Sequence, residues 1–497
     1  MSNKLKNDNL DQNKIREPFF DINGQITQVP YSKKILIAIF TAGITLLLGS
    51  KLPLQTFGNN TGLALGFFIA TILILIISPW SIVITAMLIP LIGMRLGFWT
   101  WPDVQMKIGT SAFLQLFAMM VVGLGAETTS IGRRIALVLL KTFGQKPTRM
   151  LIVIFSITAI LSALISNNAV LIMMSGIMNG LLLTMGEVPG KSKYGRIVMT
   201  LIPAAAYIGG AALINGAPAG NAFGINLMST ASGGAYTITY AQWAIMGGVA
   251  ILLTLIPVTL IHILFMGLKK SEFPKSVSND YIDDSLKKLG PIGGSEIKWI
   301  FYMISMILLL VFGGNSTTVP LLFAALSLLP VIGTVPVNDV FNRIPMFLVF
   351  TIMFLPTLGL LFTNTGLGNM LALVLEPVLS GLNPYMFSVV ACFIAAMTSN
   401  VFVNGQMLSY TVIITIATQV CISMGYNPTV VMLPTIMMAA FFFWIRLNAE
   451  MLLNKHYGWW ETKDNLSAGF VSIFFMAFAI PAVCFLMAPV ANVAIYL

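Results

Sequence analysis

The chain of 497 residues is 57% hydrophobic and only 9% charged, which leaves too few charges to hydrate the surface of a soluble protein of this size. Its net charge of +10 comes from basic residues in loops between apolar stretches rather than from one basic face, which argues against nucleic-acid binding. The apolar stretches are long enough to cross a bilayer, and their lack of polar–apolar alternation indicates helices. We therefore predict an all-α polytopic membrane protein.

The predicted spans begin after a polar tail, 1–34, and continue to the last residue. We predict about eleven transmembrane helices, at 35–50, 62–78, 80–97, 108–126, 197–228, 241–267, 298–312, 318–333, 345–362, 428–452 and 466–497. Two further apolar segments, 149–184 and 384–423, are interrupted by a polar Ser-Asn pair, and each is predicted to be a re-entrant hairpin. Such backbone is tolerated at membrane depth where it is buried in protein or lines a cavity.

The distribution of basic residues predicts the orientation. With the N-terminus in the cytoplasm, the cytoplasmic segments contain 23 of the 27 Lys and Arg residues, and the opposite side contains 3. Because the number of crossings is odd, the C-terminus is then outside. We predict a multi-pass protein of the plasma membrane in this orientation.

The two hairpins indicate an internal repeat. The predicted divisions are a cytoplasmic tail at 1–34, N-terminal scaffold helices at 35–107, a first repeat at 108–267, a solvated cytoplasmic linker at 268–297, connecting scaffold helices at 298–344 and a second repeat at 345–497. The first hairpin opens from the inside and the second from the outside, so the repeats are inverted. Broken helices at corresponding places in two inverted halves point to a transport site near the middle of the membrane.

The hairpin breaks supply the first candidate substrate-binding residues: Ser166, Asn167 and Asn168 in the first half, and Ser399, Asn400 and Val401 in the second. A single Ser or Asn in a membrane helix often serves only as a hydrogen-bonding contact between helices. Two Ser-Asn pairs at breaks of both halves favour a site instead. Amides, hydroxyls and exposed helix N-termini hold an anion without a fixed charge, so the chemistry suits a carboxylate.

The spans that follow the hairpins supply the remaining candidates: Asn215, Gly216, Ala217 and Pro218 in the first half, and Arg446 in the second. Pro and clustered Gly unwind a helix and free its carbonyl and N–H groups, although a kink for close packing is the alternative. An intramembrane cation such as Arg446 is a candidate functional group by default. Pairing with Glu450, or extension of its side chain to the cytoplasmic surface, are the alternatives.

Enzyme signatures are absent from the sequence. Gly190-Lys191-Ser192 lacks the spacing and the preceding strand of a phosphate-binding loop, and the two histidines are far apart. We predict no enzymatic activity and no cofactor, with sodium as the one ion to consider. An anion channel would need a continuous polar pore, which the paired hairpins argue against.

Four short motifs stand out along the chain: Gly-Arg-Arg-Ile-Ala at 132–136, Leu-Ser-Ala-Leu-Ile-Ser-Asn at 161–167, Lys-Leu-Gly-Pro at 288–291 and Thr-Ser-Asn at 398–400. Together they resemble motifs of the divalent anion:sodium symporter family of dicarboxylate and citrate carriers. The resemblance implies a homodimer in which a scaffold supports a transport domain that moves as an elevator. It also implies that the two Ser-Asn pairs hold the substrate carboxylates, with sodium beside the hairpin tips in the coupled members.

The chain departs from the family pattern in ways that bear on sodium. The third tip residue, a threonine in the family, is Asn168 in one half and Val401 in the other, and the second unwound motif is replaced by the segment around Arg446. We therefore predict sodium-independent exchange of C4–C5 dicarboxylates such as 2-oxoglutarate, malate, succinate or fumarate. A sodium-coupled dicarboxylate or citrate symporter is the alternative. Its remaining sodium site would be Ser166, Asn167 and Gly216.

Cysteine labelling tests the predicted orientation. An impermeant thiol reagent should label a cysteine introduced in 184–197 from the cytoplasm only, and one introduced in 229–240 from outside only. The native Cys392, Cys421 and Cys484 lie in apolar segments without paired spacing, so we expect free, buried thiols that give little background. Labelling from the opposite sides would contradict both the eleven-span order and the inverted repeat.

Overall fold

The computed structural model describes residues 31–108, 111–277, 279–379, 381–402, 404–441, 443–445 and 449–497. Most of the predicted cytoplasmic tail therefore lies outside the described residues. Arg446 lies outside them as well, and so does the side chain of Glu450, its partner in the alternative interpretation.

The described residues fold into helices, and no β-strand is found among them. The helices before the first hairpin are α1 (Tyr31–Ser50), α2 (Thr61–Ile77), α3 (Ile82–Arg95), α4 (Trp101–Ile108), α5 (Ser111–Thr128) and α6 (Ile131–Phe143). The first hairpin and the spans after it comprise α7 (Pro147–Leu164), α8 (Asn167–Thr184), α9 (Lys193–Gly210), α10 (Pro218–Ala231), α11 (Tyr240–Trp243) and α12 (Val249–Phe265). A π-helical turn, Ala244–Gly248, joins the last two.

The middle of the chain contains α13 (Asp280–Leu289), α14 (Gly294–Val311), α15 (Thr318–Leu328) and α16 (Val337–Arg343). The second half comprises α17 (Met346–Phe354), α18 (Leu360–Asn364), α19 (Leu367–Leu379), α20 (Pro384–Val401), α21 (Gly405–Leu408), α22 (Thr415–Ser423), α23 (Pro428–Ala439), α24 (Ala449–His456) and α25 (Leu466–Met487). A π-helical stretch, Ser409–Ile414, joins α21 to α22.

Ten helices of the described chain are long and apolar enough to cross a membrane, and four of these are the arms of the two hairpins. Shorter apolar helices, among them α2, α3 and α15, occupy other predicted spans. The first broken span also has the predicted form, because α9 and α10 are separated by the unwound stretch 211–217. The predicted all-α polytopic fold with two hairpins is therefore confirmed.

The same order of elements occurs twice. A span (α5, then α17–α18) is followed by a short helix (α6, then α19), a hairpin (α7–α8, then α20–α22), a broken span (α9–α10, then α23–α24) and a final span (α11–α12, then α25). In each half the first hairpin arm packs along the first part of the broken span, and the two final spans pack against each other. These contacts bring the end of each first hairpin arm next to the break in the broken span of its half. The break is the unwound stretch 211–217 in the first half, and the described residues 440, 441 and 443–445 after α23, the second unwound stretch, in the second half.

Three predicted features differ in the structure. The second hairpin breaks after Val401, so Ser399 and Asn400 lie in the last turn of α20 rather than at the break. The linker after α12 is not fully solvated, because it contains α13, whose Ile282 is completely buried. The last span ends at Met487, and the residues after it return to the loop before α23, where the Asn427 N–H donates to the Ile495 carbonyl at 2.9 Å.

Glycines allow α9 to approach α7 more closely than side chains would permit. A Cβ atom added to Gly209 would collide with the backbone of Ala159, and one added to Gly210 would lie 3.0 Å from the Cβ of Asn167. The backbone contact cannot be relieved by a side-chain rotation, so the helices would have to separate. The close approach holds the end of α9 against the hairpin. This supports the alternative interpretation of the clustered glycines, which is close packing of the helices.

Substitution of Gly209 tests this contact. Gly209→Ala should destabilise the protein by about 1–3 kcal/mol, because overpacking displaces two helices. The control is Gly123→Ala in α5, where an added Cβ meets nothing within 4 Å. Alanine is about 1 kcal/mol better than glycine in a helix interior, so this variant should be neutral or stabilised. A thermal unfolding midpoint of the detergent-solubilised protein that is unchanged in Gly209→Ala would contradict the proposed close packing.

Candidate functional site

The first hairpin tip is a two-residue break between α7 and α8. Ile165 is extended, and Ser166 occupies the N-cap position of α8 without using its side chain as a cap. The Asn167 N–H donates to the carbonyl of Gly216 at 3.2 Å, so the tip contacts the unwound stretch directly. The structure thus brings together Ser166, Asn167 and Gly216, which the sequence predicted as substrate or sodium ligands.

Two asparagines stabilise the broken backbone around this tip. The Nδ2 atom of Asn215 donates to the carbonyls of Ala163 and Leu164, at 3.1 and 3.3 Å, at the end of α7. Its Oδ1 atom accepts a hydrogen bond from the Tyr240 hydroxyl at 2.6 Å. Asn215 is buried, so the described contacts assign it a structural role at the rim of the tip.

Asn221 stabilises the broken backbone at the end of α9. Its Nδ2 atom donates to the carbonyls of Gly210 and Leu213, both at 3.0 Å, on either side of the unwinding point. Between these caps, Gly216 is tightly enclosed, since a Cβ there would lie 2.5 Å from the carbonyl oxygen of Ser162. Ala217 and Pro218 are buried, and Pro218 begins α10.

The tip retains polar groups that the fold does not use. Ser166, Asn167 and Asn168 are all half-buried, and the Ser166 hydroxyl has no hydrogen-bond partner in the described part of the chain. The Asn167 Oδ1 atom accepts from the Asn168 N–H at 2.9 Å, and the Asn168 Oδ1 atom has a long 3.5 Å contact from the Tyr207 hydroxyl. The amide N–H groups of both side chains are therefore free to donate to an anion at the positive end of an 18-residue helix.

The second pair is organised differently, because Ser399 and Asn400 are completely buried. The Ser399 hydroxyl donates to the carbonyl of Ala439 at 2.8 Å. The Asn400 Nδ2 atom donates to the carbonyls of Ala396 and Phe441, at 2.8 and 2.7 Å. Its Oδ1 atom accepts from the Trp444 N–H at 3.0 Å. The polar groups of this pair thus hold the hairpin to the second unwound stretch.

The hydrogen bonds also show which residues of the two halves correspond. Ser399 bonds from α20 to α23 as Ser162 bonds from α7 to α9, where its hydroxyl donates to the Ala206 carbonyl at 2.5 Å. Each serine lies two residues before the end of its helix. The structural counterpart of Ser399 is therefore Ser162, one helical turn before Ser166. Sequence reasoning missed Ser162, because no asparagine follows it.

The break of the second hairpin presents other side chains. Val401 and Phe402 are exposed, and Asn404 is the N-cap residue of α21, the position that Ser166 occupies in α8. The Asn404 Nδ2 atom donates to the Leu75 carbonyl and the Ser78 hydroxyl, at 3.0 and 3.2 Å, at the end of α2. Asn404 was not predicted, although an Asn-Gly pair after an apolar helix indicates a break.

The described residues contain no group of three or more His, Cys, Asp or Glu that could hold a metal ion. Sodium requires only carbonyl, hydroxyl and amide oxygens, which the first tip offers at Ser166, Asn167 and Gly216. In the second half the Ser399 hydroxyl and the Asn400 Oδ1 atom take part in hydrogen bonds within the fold, as the Asn167 Oδ1 atom and the Gly216 carbonyl do in the first.

Two hairpins that face two broken spans in an all-helical membrane fold define a membrane transporter. The chain matches the family described as "Sodium:sulfate symporter transmembrane region" over residues 31–483, and it therefore belongs to this family of secondary transporters. The family predicted from the four sequence motifs is confirmed. Comparison with curated proteins gives no significant match.

Two solved structures share the fold. MtrF of Neisseria gonorrhoeae, described as one of a class of antimetabolite efflux pumps, is 11% identical, with a TM-score of 0.54 over 89% of this chain and 96% of its own. The YdaH transporter of Alcanivorax borkumensis, described as having an unusual topology, is 11% identical, with a TM-score of 0.51 over 93% of this chain and 99% of its own. At this identity the likeness concerns the fold alone.

The difference between the two tips can be tested by paired substitutions. Asn167→Ala should weaken substrate binding by about tenfold to a hundredfold, because a hydrogen bond to a charged group contributes roughly 1.5–3 kcal/mol. Its unfolding midpoint should stay near that of the wild type, since the Asn167 side chain makes only a local bond. Asn400→Ala should lower the midpoint, because it leaves the Phe441 carbonyl and the Trp444 N–H unpaired, at a cost of about 1–3 kcal/mol.

Binding of the substrate anion to the purified variants by calorimetry, together with their thermal unfolding, measures both effects. Asn338→Ala is the control, because Asn338 is exposed on α16, far along the chain from both hairpins, and should change neither quantity. If Asn167→Ala binds the substrate with wild-type affinity, the first tip is not part of the binding site. A wild-type midpoint in Asn400→Ala would show that its buried hydrogen bonds contribute little.

Proposed function

We propose that this transporter exchanges C4–C5 dicarboxylates across the plasma membrane, with its N-terminus in the cytoplasm and its C-terminus outside. The observation that carries the proposal is the first hairpin tip. There the Ser166 hydroxyl and the amides of Asn167 and Asn168 stay available at the N-terminus of α8. Neutral donors at a helix N-terminus bind a carboxylate, and they release it more readily than a buried cation would.

The second carboxylate needs a partner in the other half, where the amide of Asn400 is already bonded. We infer that Arg446, which follows the second unwound stretch in the sequence, supplies a fixed positive charge to this carboxylate. A guanidinium remains protonated and forms paired hydrogen bonds with a carboxylate. An unpaired guanidinium is costly at membrane depth, so we infer that the carrier crosses only with a carboxylate bound to it, and this favours obligatory exchange over net transport.

The same residues argue against a second sodium ion. Two like charges 4 Å apart repel by about 4 kcal/mol at an effective dielectric constant of 20, so Arg446 would oppose a cation beside it. The side-chain oxygen of Asn400 accepts from the Trp444 N–H, and the Phe441 carbonyl accepts from Asn400. Sodium bound through these oxygens would compete with hydrogen bonds that stabilise the unwound stretch.

Sodium-coupled dicarboxylate or citrate symport is the second candidate, and two observations favour it. The family is described by its sodium:sulfate symporters, and the first tip brings Ser166, Asn167 and Gly216 together. In either case we infer an elevator movement in a homodimer. The support is the resemblance to the dicarboxylate carriers, together with the way each hairpin packs on its own broken span as one unit.

Counterflow in proteoliposomes separates the two candidates. Labelled succinate should enter vesicles that contain unlabelled succinate at the same rate in sodium, potassium or choline medium. It should not accumulate in vesicles loaded with buffer alone. Asn167→Ala should reduce the uptake at low substrate concentration, which shows that the flux uses the site. Uptake that collapses without sodium would favour the symporter, and exclusion of every C4–C5 dicarboxylate would refute the proposed substrate class.

A further inference from the structure

A cleft of about 290 Å³ lies between the end of α6 and the start of α7, at the end of the first hairpin opposite its tip. Lys146 and Arg149 line its polar part, and Phe143, Ile152 and Val153 line its apolar part. Because α7 has 18 residues at 1.5 Å each, the cleft is about 27 Å from the tip. It therefore lies near a membrane surface and is separate from the site described above.

The cleft carries positive charge that the protein does not neutralise. The segment 131–149 contains five cations and no Asp or Glu. Two of these cations form ion pairs: Arg134 with Glu296 at 3.1 Å, and Lys141 with Asp283 at 2.6 Å. Lys146 and Arg149 are exposed and form no ion pair with any described residue. Of the three cations that remain, Lys146 and Arg149 line the cleft, and Arg133 does not.

An exposed and mainly apolar strip of α7 runs from the cleft towards the hairpin tip. Arg149, Val153, Ser156 and Ile160 lie on one face of this helix, because side chains three or four apart share a helix face. Ile160 on this face is 45% exposed, whereas Leu151, Ile154 and Phe155 on the opposite face are completely buried. Phe143 at the rim of the cleft is 58% exposed. Arg149 thus stands at the end of this exposed strip, whose apolar residues are Val153 and Ile160.

We propose that this cleft binds the phosphate headgroup of an anionic phospholipid, with an acyl chain along the exposed face of α7. Two unpaired cations at the mouth of a cleft whose wall continues into the membrane match a ligand with one charged end and one long apolar end. Basic pockets between helices at the membrane surface bind anionic lipid headgroups in this way. A free phosphate would use the cations but not the apolar strip.

Native mass spectrometry of the full-length protein in detergent, titrated with phosphatidylglycerol or phosphatidylcholine, tests the proposal. The wild type should retain phosphatidylglycerol in preference to phosphatidylcholine. Each cation near a membrane surface contributes about fivefold to the binding of an anionic lipid, so Lys146→Gln/Arg149→Gln should weaken retention by about 25-fold. The control Lys191→Gln/Lys275→Gln removes two other exposed cations that form no ion pair with described residues and should leave retention unchanged.

Two further arms make the result decisive. The charge-conserving variant Lys146→Arg/Arg149→Lys should retain the lipid, which separates loss of charge from loss of folding. Inorganic phosphate at millimolar concentration should displace little phosphatidylglycerol, because it lacks the acyl chain, and easy displacement would identify a free-anion site instead. Equal retention of phosphatidylglycerol by the wild type and Lys146→Gln/Arg149→Gln would overturn the proposal. So would equal loss in the control variant, which would indicate general charge attraction.

Discussion

The satisfaction of backbone carbonyls at helix breaks inside the membrane is the constraint on which this structure depends. In apolar surroundings a carbonyl left without a donor costs about 1–3 kcal/mol, and water is not available to supply one. Asparagine side chains provide the donors. Asn215 serves the end of α7, Asn221 the end of α9, Asn400 the unwound stretch after α23, and Asn465 the carbonyl of Phe443 in that stretch. The breaks can therefore persist in a chain that is otherwise close-packed helix.

The two halves meet this constraint with amides from opposite partners. In the first half the donor to the hairpin is Asn215, which belongs to the unwound stretch. The polar groups of the hairpin tip are therefore not needed for these hydrogen bonds and stay available. In the second half the donor is Asn400, which belongs to the hairpin and whose side-chain amide donates to the unwound stretch. An inverted repeat can thus provide one tip with available donors and one without. The two ends of a bound dianion would meet different chemistry.

Hydropathy and helix-breaking residues account for what the sequence predicted well. The spans follow from apolar length, and the break at 211–217 follows from Gly209, Gly210, Gly216 and Pro218, which lie in it or beside it. The sequence analysis misplaced the correspondence between the two tips by one helical turn, because it matched Ser399-Asn400 to Ser166-Asn167 by residue identity alone. The bonds to α9 and α23 instead pair Ser399 with Ser162. The charges of 280–289 likewise concealed α13, whose buried Ile282 and Ser285 lie one turn apart.

The ion pairs of α6 fix the place at which the hairpin, in the proposed elevator movement, is linked to the rest of the protein. The Arg134 guanidinium bonds to Glu296 and to the Gly290 carbonyl at 2.8 Å, which ties the start of α6 to the corner between α13 and α14. This guanidinium is mostly shielded from solvent, so the bonds are stronger than those of a surface ion pair. The end of α6 joins α7 through only three residues, 144–146. In the proposed elevator movement, a displacement of the hairpin relative to α14 would be taken up either within this short connection or by tilting α6. The unpaired charges of Lys146 and Arg149 lie at that connection, so an anionic group held between them would act where the hairpin is linked to the rest of the protein.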